Sequence, residues 1–233
     1  MRSAAAVVLT LSAIVGVEPL AAAGRNVSWT AADGTSLAGT LYETGRLGPG
    51  VVLVHMLGRS KDEWAAVAAR LQEAGITVLA MDLRGHGNSG GSGGALGPMA
   101  GDVRAAVEWL AARGNIRPGA MALVGASFGA TLAAIVAAES SSVRAVALIS
   151  PSLDYRGARL DAAAIKKLGS RAVWLVASTE DPYALRTVRE LAGPDGGREQ
   201  RLSAIRAHGT ALFTVDPDLT PALVDWLRRT LIF

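Results

Sequence analysis

The chain has 233 residues, no cysteine and three histidines; half of it is hydrophobic, 18% is charged, and the formal net charge is +3. That excludes a disulfide framework, a zinc ribbon and a thiol nucleophile, and it is the reverse of a disordered composition. The small basic excess forms no Lys/Arg stripe and aromatics are 5%, so nothing marks a nucleic-acid surface.

Met1-Arg2-Ser3 is a positive start, Ala4 to Val17 an unbroken run of apolar and small residues, and Leu20-Ala21-Ala22-Ala23 a set of small residues before the next polar segment. This pattern predicts a secretory signal peptide over residues 1–23, cleaved after Ala23. The run is shorter than the ~20 apolar residues that span a bilayer. The expectation is a secreted or periplasmic protein without stable membrane insertion, with residues 24–233 forming a single catalytic domain.

Asn26 to Trp29 and Ser36 to Tyr42 read as a hairpin around Asp33-Gly34. Val51 to His55 is an apolar run too short for a helix, as expected of a strand buried on both faces. Ser60 with Glu63 reads as a capping box, opening a helix that carries Trp64, Val67, Ala68 and Leu71 on one face and stops at Gly75. Ile76 to Met81 is the next buried strand. The Gly-rich stretch Gly85 to Gly101 reads as a flexible surface loop, followed by a helix over Asp102 to Ala112.

Met121 to Val124 is a strand, Phe128 to Ala138 a helix, and Val143 to Ile149 a strand. A short helix over Leu160 to Leu168 follows, then a strand over Ala172 to Ser178 and a helix over Tyr183 to Leu191. Gln200 to Ile205 alternates like an edge strand, and Pro221 to Leu231 is a closing amphipathic helix. Strand and helix alternate from Val51 onward, which predicts an α/β fold with a mostly parallel sheet covered by helices on both faces. In such sheets ligands gather at the carboxyl ends of the strands. The residues standing there are His55, Asp82, Ser127, Asp181 and His208.

Gly125-Ala126-Ser127-Phe128-Gly129 is a G-x-S-x-G segment with an apolar strand running in and a helix running out. That is the setting of a nucleophile elbow, where small neighbours let strand and helix approach and the serine hydroxyl is exposed. A serine hydroxyl needs a base to take its proton, and His208, on a loop after the last strand, is the candidate. The imidazolium needs a carboxylate; Asp181, before Pro182 and after the strand Ala172 to Ser178, is favoured over its neighbour Glu180. The order Ser…Asp…His agrees with this architecture. An oxyanion needs backbone donors. The Phe128 N–H at the helix start is one, and the loop His55-Met56-Leu57-Gly58 offers Leu57, with Met56 as the alternative.

With these residues in place, the chain resembles the α/β-hydrolase family over almost all of its mature length. His55-Met56-Leu57-Gly58 is similar to the family's His-Gly-x-Gly loop, with Met56 in place of Gly. Asp82-Leu83-Arg84-Gly85-His86-Gly87-Asn88-Ser89 reads as the family's D-x-R-G-H-G-x-S, and Ser127 sits at the elbow. The resemblance implies structural roles for His55, Asp82 and His86. The interval from Ser150 to Arg171 is too short for a lid domain, so the chain looks like the small dienelactone-hydrolase-like esterases, with serine in place of their cysteine nucleophile. The implied activity is cleavage of small-molecule carboxylic esters through an acyl-enzyme. Acyl transfer, thioester hydrolysis and peptide hydrolysis with the same three residues stay open, and a non-catalytic binding protein of the same fold is the reading of a different class. No metal or organic cofactor is implied.

Overall fold

The computed structural model describes residues 24–155, 157–160, 162–193 and 198–232. The expected signal peptide over 1–23 lies outside the described residues.

Strand β1 (Arg25–Thr30) pairs antiparallel with β2 (Ser36–Tyr42). The turn between them needs a left-handed residue, and Gly34 supplies it at φ 84°. Asp33 Oδ1 accepts from the Thr35 N–H at 3.1 Å, an Asx turn. Then come β3 (Gly48–Val54), helix α1 (Ala65–Glu73), β4 (Thr77–Asp82), α2 (Leu96–Ala111), β5 (Ile116–Ala126), α3 (Phe128–Glu139) and β6 (Val143–Ile149). A hairpin of two-residue strands, β7 (Asp154–Tyr155) and β8 (Ala158–Arg159), precedes the short α4 (Ala162–Lys166). The chain continues through β9 (Ala172–Ser178), α5 (Pro182–Ala192), β10 (Glu199–Ser203), α6 (Ala211–Val215) and α7 (Leu219–Leu231).

The main sheet has eight strands in the order β1-β2-β4-β3-β5-β6-β9-β10. Pairings from β4 to β10 are parallel, and β2 joins β4 antiparallel. The two-residue period of a strand divides its side chains between two cores. Val52, Val54, Leu79, Met81 and Leu123 join the core under α2 and α3. Val51, Leu53, Val78, Ala80 and Val124 face α1 and α7. This double burial is why these strands lack polar alternation. Among the described residues no helix is long and apolar enough to cross a membrane.

Local structure departs from the expected elements in places. Ser60 caps a single 3₁₀ turn, Lys61–Trp64, by accepting from the Asp62 N–H at 3.3 Å, so the capping box with Glu63 does not form. Helix α2 starts at Leu96, because Pro98 sits in its first turn, where a missing N–H leaves no bond broken. The stretch before it is tied down rather than loose. The Gly85 N–H donates to the Gly90 carbonyl at 3.0 Å, and the Gly90 N–H to that of Ser36 at 2.8 Å. Ser89 Oγ donates to the Asp82 carbonyl at 2.7 Å and accepts from the Ala38 N–H at 2.9 Å. Strand β5 begins at Ile116, with Pro118 and Gly119 accommodated where its register shifts.

Candidate active site

Ser127 joins β5 to α3, with φ 52° and ψ −117°. Among the described residues only Ser127 and Ser150 combine a side chain with a positive φ. Such strain persists when the surroundings over-determine it. Here the Ser127 N–H donates to the Ile149 carbonyl at 2.8 Å. The flanking glycines leave no alternative: a Cβ on Gly125 would lie 2.1 Å from the Gly129 carbonyl oxygen. A Cβ on Gly129 would lie 2.5 Å from the Val54 carbonyl oxygen and 2.6 Å from that of His55. Helix α3 thus starts in contact with the loop that leaves β3.

His208 bridges the other two predicted residues. Its Nε2 lies 2.9 Å from Ser127 Oγ, and its Nδ1 lies 2.5 Å from Asp181 Oδ2. A carboxylate accepts only, so Nδ1–H donates to Asp181 and Nε2 is left to accept from the serine hydroxyl. Asp181 also caps α5, its Oδ1 accepting from the Ala184 N–H at 3.1 Å, with Pro182 at the first helical position. The helix holds one carboxylate oxygen and the imidazole holds the other. Glu180 is exposed, and its N–H donates to Ser178 Oγ at 3.0 Å. The imidazole is half exposed, and Asp181 is largely covered.

The loop after β3 is held from both ends. His55 is fully buried; its Nε2 accepts from the Leu83 N–H at 3.0 Å, and its Nδ1–H donates to the Met56 carbonyl at 2.6 Å. Burial pushes the His55 imidazole below its ordinary value, which keeps it neutral. The Gly58 N–H donates to His86 Nε2. The Met56 N–H acts on the Glu63 carboxylate, as does the Thr210 hydroxyl, while burial pushes that carboxyl above the ordinary glutamate value. Within the loop this leaves the Leu57 N–H without an intramolecular partner among the described residues. The Phe128 N–H stands at the start of α3, where no intrahelical carbonyl can reach it. Phe128 and Leu57 are the two positions at which the sequence leads one to expect donors.

Asp82 holds the loops behind the site. Its carboxylate accepts from the Lys61 N–H and Nζ, both at 2.8 Å, and from the Asn88 N–H at 2.9 Å. Lys61, itself buried, was not singled out in the sequence. Its place seven residues past the β3 end, opposite Asp82, was the available signal. Arg84 makes a two-pronged pair with Asp102, fully buried in α2, and its third nitrogen reaches Asp33. Over the elbow, Tyr155 of the small hairpin lies against Phe128, ring centroids 4.8 Å apart. Among the described residues no group of three or more His, Cys, Asp or Glu is gathered to hold a metal.

Residues 49–191 match the family described as serine aminopeptidase, S33. The chain is 34% identical over 113 residues to the uncharacterized protein Rv2307c of Mycobacterium tuberculosis, covering 48% of this chain and 40% of that one. It is 30% identical over 135 residues to the polyketide transferase ATR5 of Stachybotrys chlorohalonatus, covering 56% of this chain and 46% of that one. The match therefore spans less than half the length of each of these curated relatives. Among solved structures, the Pyrococcus furiosus esterase Pf2001 superposes with a TM-score of 0.73 at 17% identity, over 89% of this chain and 91% of that one.

Proposed function

The chain belongs to the α/β-hydrolase family described as serine aminopeptidase S33, and on that premise we propose that it is an exported serine hydrolase of small carboxylic esters. The observation that carries this reading is the hydrogen-bonded series Asp181–His208–Ser127, at 2.5 and 2.9 Å, ending on a strained, half-buried elbow.

His208 Nε2 takes the hydroxyl proton as Ser127 Oγ attacks the acyl carbon. Asp181 holds the imidazole in the tautomer that can accept that proton, and it stabilises the imidazolium formed. The N–H groups of Phe128 and Leu57 receive the developing oxyanion, where a donor contributes about a hundredfold or more in rate. His208 returns the proton to the leaving alcohol. Water, deprotonated by the same nitrogen, then attacks the acyl-serine; the bond from the acyl carbon to Ser127 Oγ breaks, His208 returns the proton to Oγ, and the acid leaves. The half-exposed imidazole and the small hairpin in place of a lid domain favour short or extended esters over buried lipid chains.

Acyl transfer is the second reading, and the relative described as a polyketide transferase favours it. In that case an acceptor alcohol replaces water in the second half-reaction. The test is a p-nitrophenyl ester panel of graded acyl length, with and without added alcohol. The wild type hydrolyses the short esters, and Ser127→Ala loses more than about a thousandfold. Full activity in Ser127→Ala would end the proposal, and a product that follows the added alcohol would favour transfer. Amide substrates in the same panel test peptide hydrolysis.

A further inference from the structure

We infer that Ser150 is a positioning residue, which anchors the His208 loop through the backbone of Gly209; the inference rests on the serine-hydrolase reading above. The physical problem is the exposure of His208. A half-exposed imidazole has few side-chain neighbours to hold it, so its placement depends on its backbone.

Ser150 follows β6, which lies between β5 and β9 in the sheet, and is 1% exposed. Its φ of 48° is a conformation that L side chains rarely adopt. That backbone turns its Oγ toward the last loop, where it accepts from the Gly209 N–H at 2.9 Å. Its own N–H donates to the Val176 carbonyl of β9, the strand that leads to Asp181, at 2.7 Å. The residue before it, Ile149, accepts from the Ser127 N–H. Two consecutive residues therefore contact the nucleophile turn, the acid-bearing strand and the histidine loop.

Gly209 is clamped from its other side as well. It is left-handed at φ 59°, and a Cβ there would lie 2.1 Å from Met56 Sδ. The thioether and the serine hydroxyl together fix Gly209, and with it the direction of His208. The serine at position 150 thus does for the base what Asp82 does for the loops behind the site. It touches no substrate and acts through another residue.

Two substitutions separate anchoring from stability. Ser150→Gly removes the hydroxyl but relieves the left-handed backbone, which offsets the lost hydrogen bond in part, so its melting temperature falls less than that of Ser150→Thr. Its kcat on p-nitrophenyl acetate falls about 10- to 100-fold with KM within about twofold, the scale of a misplaced catalytic group. Ser150→Thr keeps the hydroxyl but puts a β-branched residue at positive φ, so it melts lower and keeps most of the kcat. The low-field proton resonance of His208 Nδ1–H, read without substrate, broadens in Ser150→Gly and persists in Ser150→Thr. Wild-type kcat and an unchanged resonance in Ser150→Gly would overturn the inference, as would kcat losses that follow melting temperature across both variants. Ser127→Ala runs beside them. If it stays active the hydrolase reading fails, and the resonance still judges the anchor; if it is dead while Ser150→Gly is fully active, the anchor alone is wrong.

Discussion

His86 Nε2 accepts a hydrogen bond from the Gly58 backbone N–H at 3.1 Å, while its Nδ1–H donates to the Arg84 carbonyl at 2.9 Å. One imidazole thereby ties the loop after β4 to the loop that carries Leu57. His86→Ala cuts that tie without touching Ser127, Asp181 or His208. We expect kcat/KM for p-nitrophenyl acetate to fall about tenfold, less than the loss of a whole oxyanion donor. An unchanged rate would mean that the loop holds itself.

Gly129 tests the packing of the elbow. The atoms that a Cβ would meet are the carbonyl oxygens of Val54 and His55, which cannot rotate away as a side chain would. Gly129→Ala is expected to cost about 1–3 kcal/mol, read as a lower urea midpoint at unchanged slope, together with a loss of ester hydrolysis. A substitution at the exposed Gly34, where no heavy atom is nearby, leaves the elbow intact and affects only its own turn.

The elements most legible in the sequence are those whose physics is local. Strands β3 and β4 are buried on both faces and so read as unbroken apolar runs. The elbow glycines, Asp181 before Pro182, and the loop histidine are each marked by a residue type that its position demands. The early start of α2 was hidden because Gly97, Pro98 and Gly101 resemble loop residues, although a proline in a first turn breaks nothing. The start of β5 was hidden by Pro118 and Gly119, which only a shift in register accommodates. Ser150 carries no sequence sign at all, since a left-handed serine looks like any other until its neighbours across the sheet are known. Lys61 is marked only by its place in the loop after β3, and its burial is visible once Asp82 is placed beside it.

Arg84 and Asp102 form a largely buried pair, the carboxylate fully covered and the guanidinium 10% exposed. Arg84→Met strands that carboxylate in α2, and removing one partner of a buried pair costs about 3–5 kcal/mol. The urea midpoint reads it. Asp33→Asn, at the exposed end of the same guanidinium, shifts the midpoint much less. Equal effects would show that the outer contact matters as much as the inner one.

Two groups give stability a pH dependence of opposite sign. Burial lowers the His55 value below its ordinary 6.5, so on acidification the unfolded chain takes up a proton that the folded protein refuses. Its contribution to stability is therefore lost as pH falls below about 6.5. Burial raises the Glu63 value above 4.5, so the folded protein keeps a proton that the unfolded chain has released. That contribution is lost as pH rises from 4.5 through the raised value. Glu63→Gln removes the second slope and leaves the first, and urea midpoints taken between about pH 4 and 8 resolve them. If Glu63→Gln and wild type show parallel profiles, the carboxyl is not held above its ordinary value.

Asp181 gives one oxygen to the Ala184 amide and the other to His208. The first turn of α5 and the orientation of the His208 imidazole therefore depend on a single carboxylate. Each fraying of that turn leaves the carboxylate free to swing, and each swing releases the imidazole. On the proposed hydrolase reading, hydrogen exchange at the Ala184 amide thus becomes a substrate-free gauge of how much of the time the imidazole is held in place. A substitution far along α5 that loosens its start would then register as lost turnover without touching the reacting atoms.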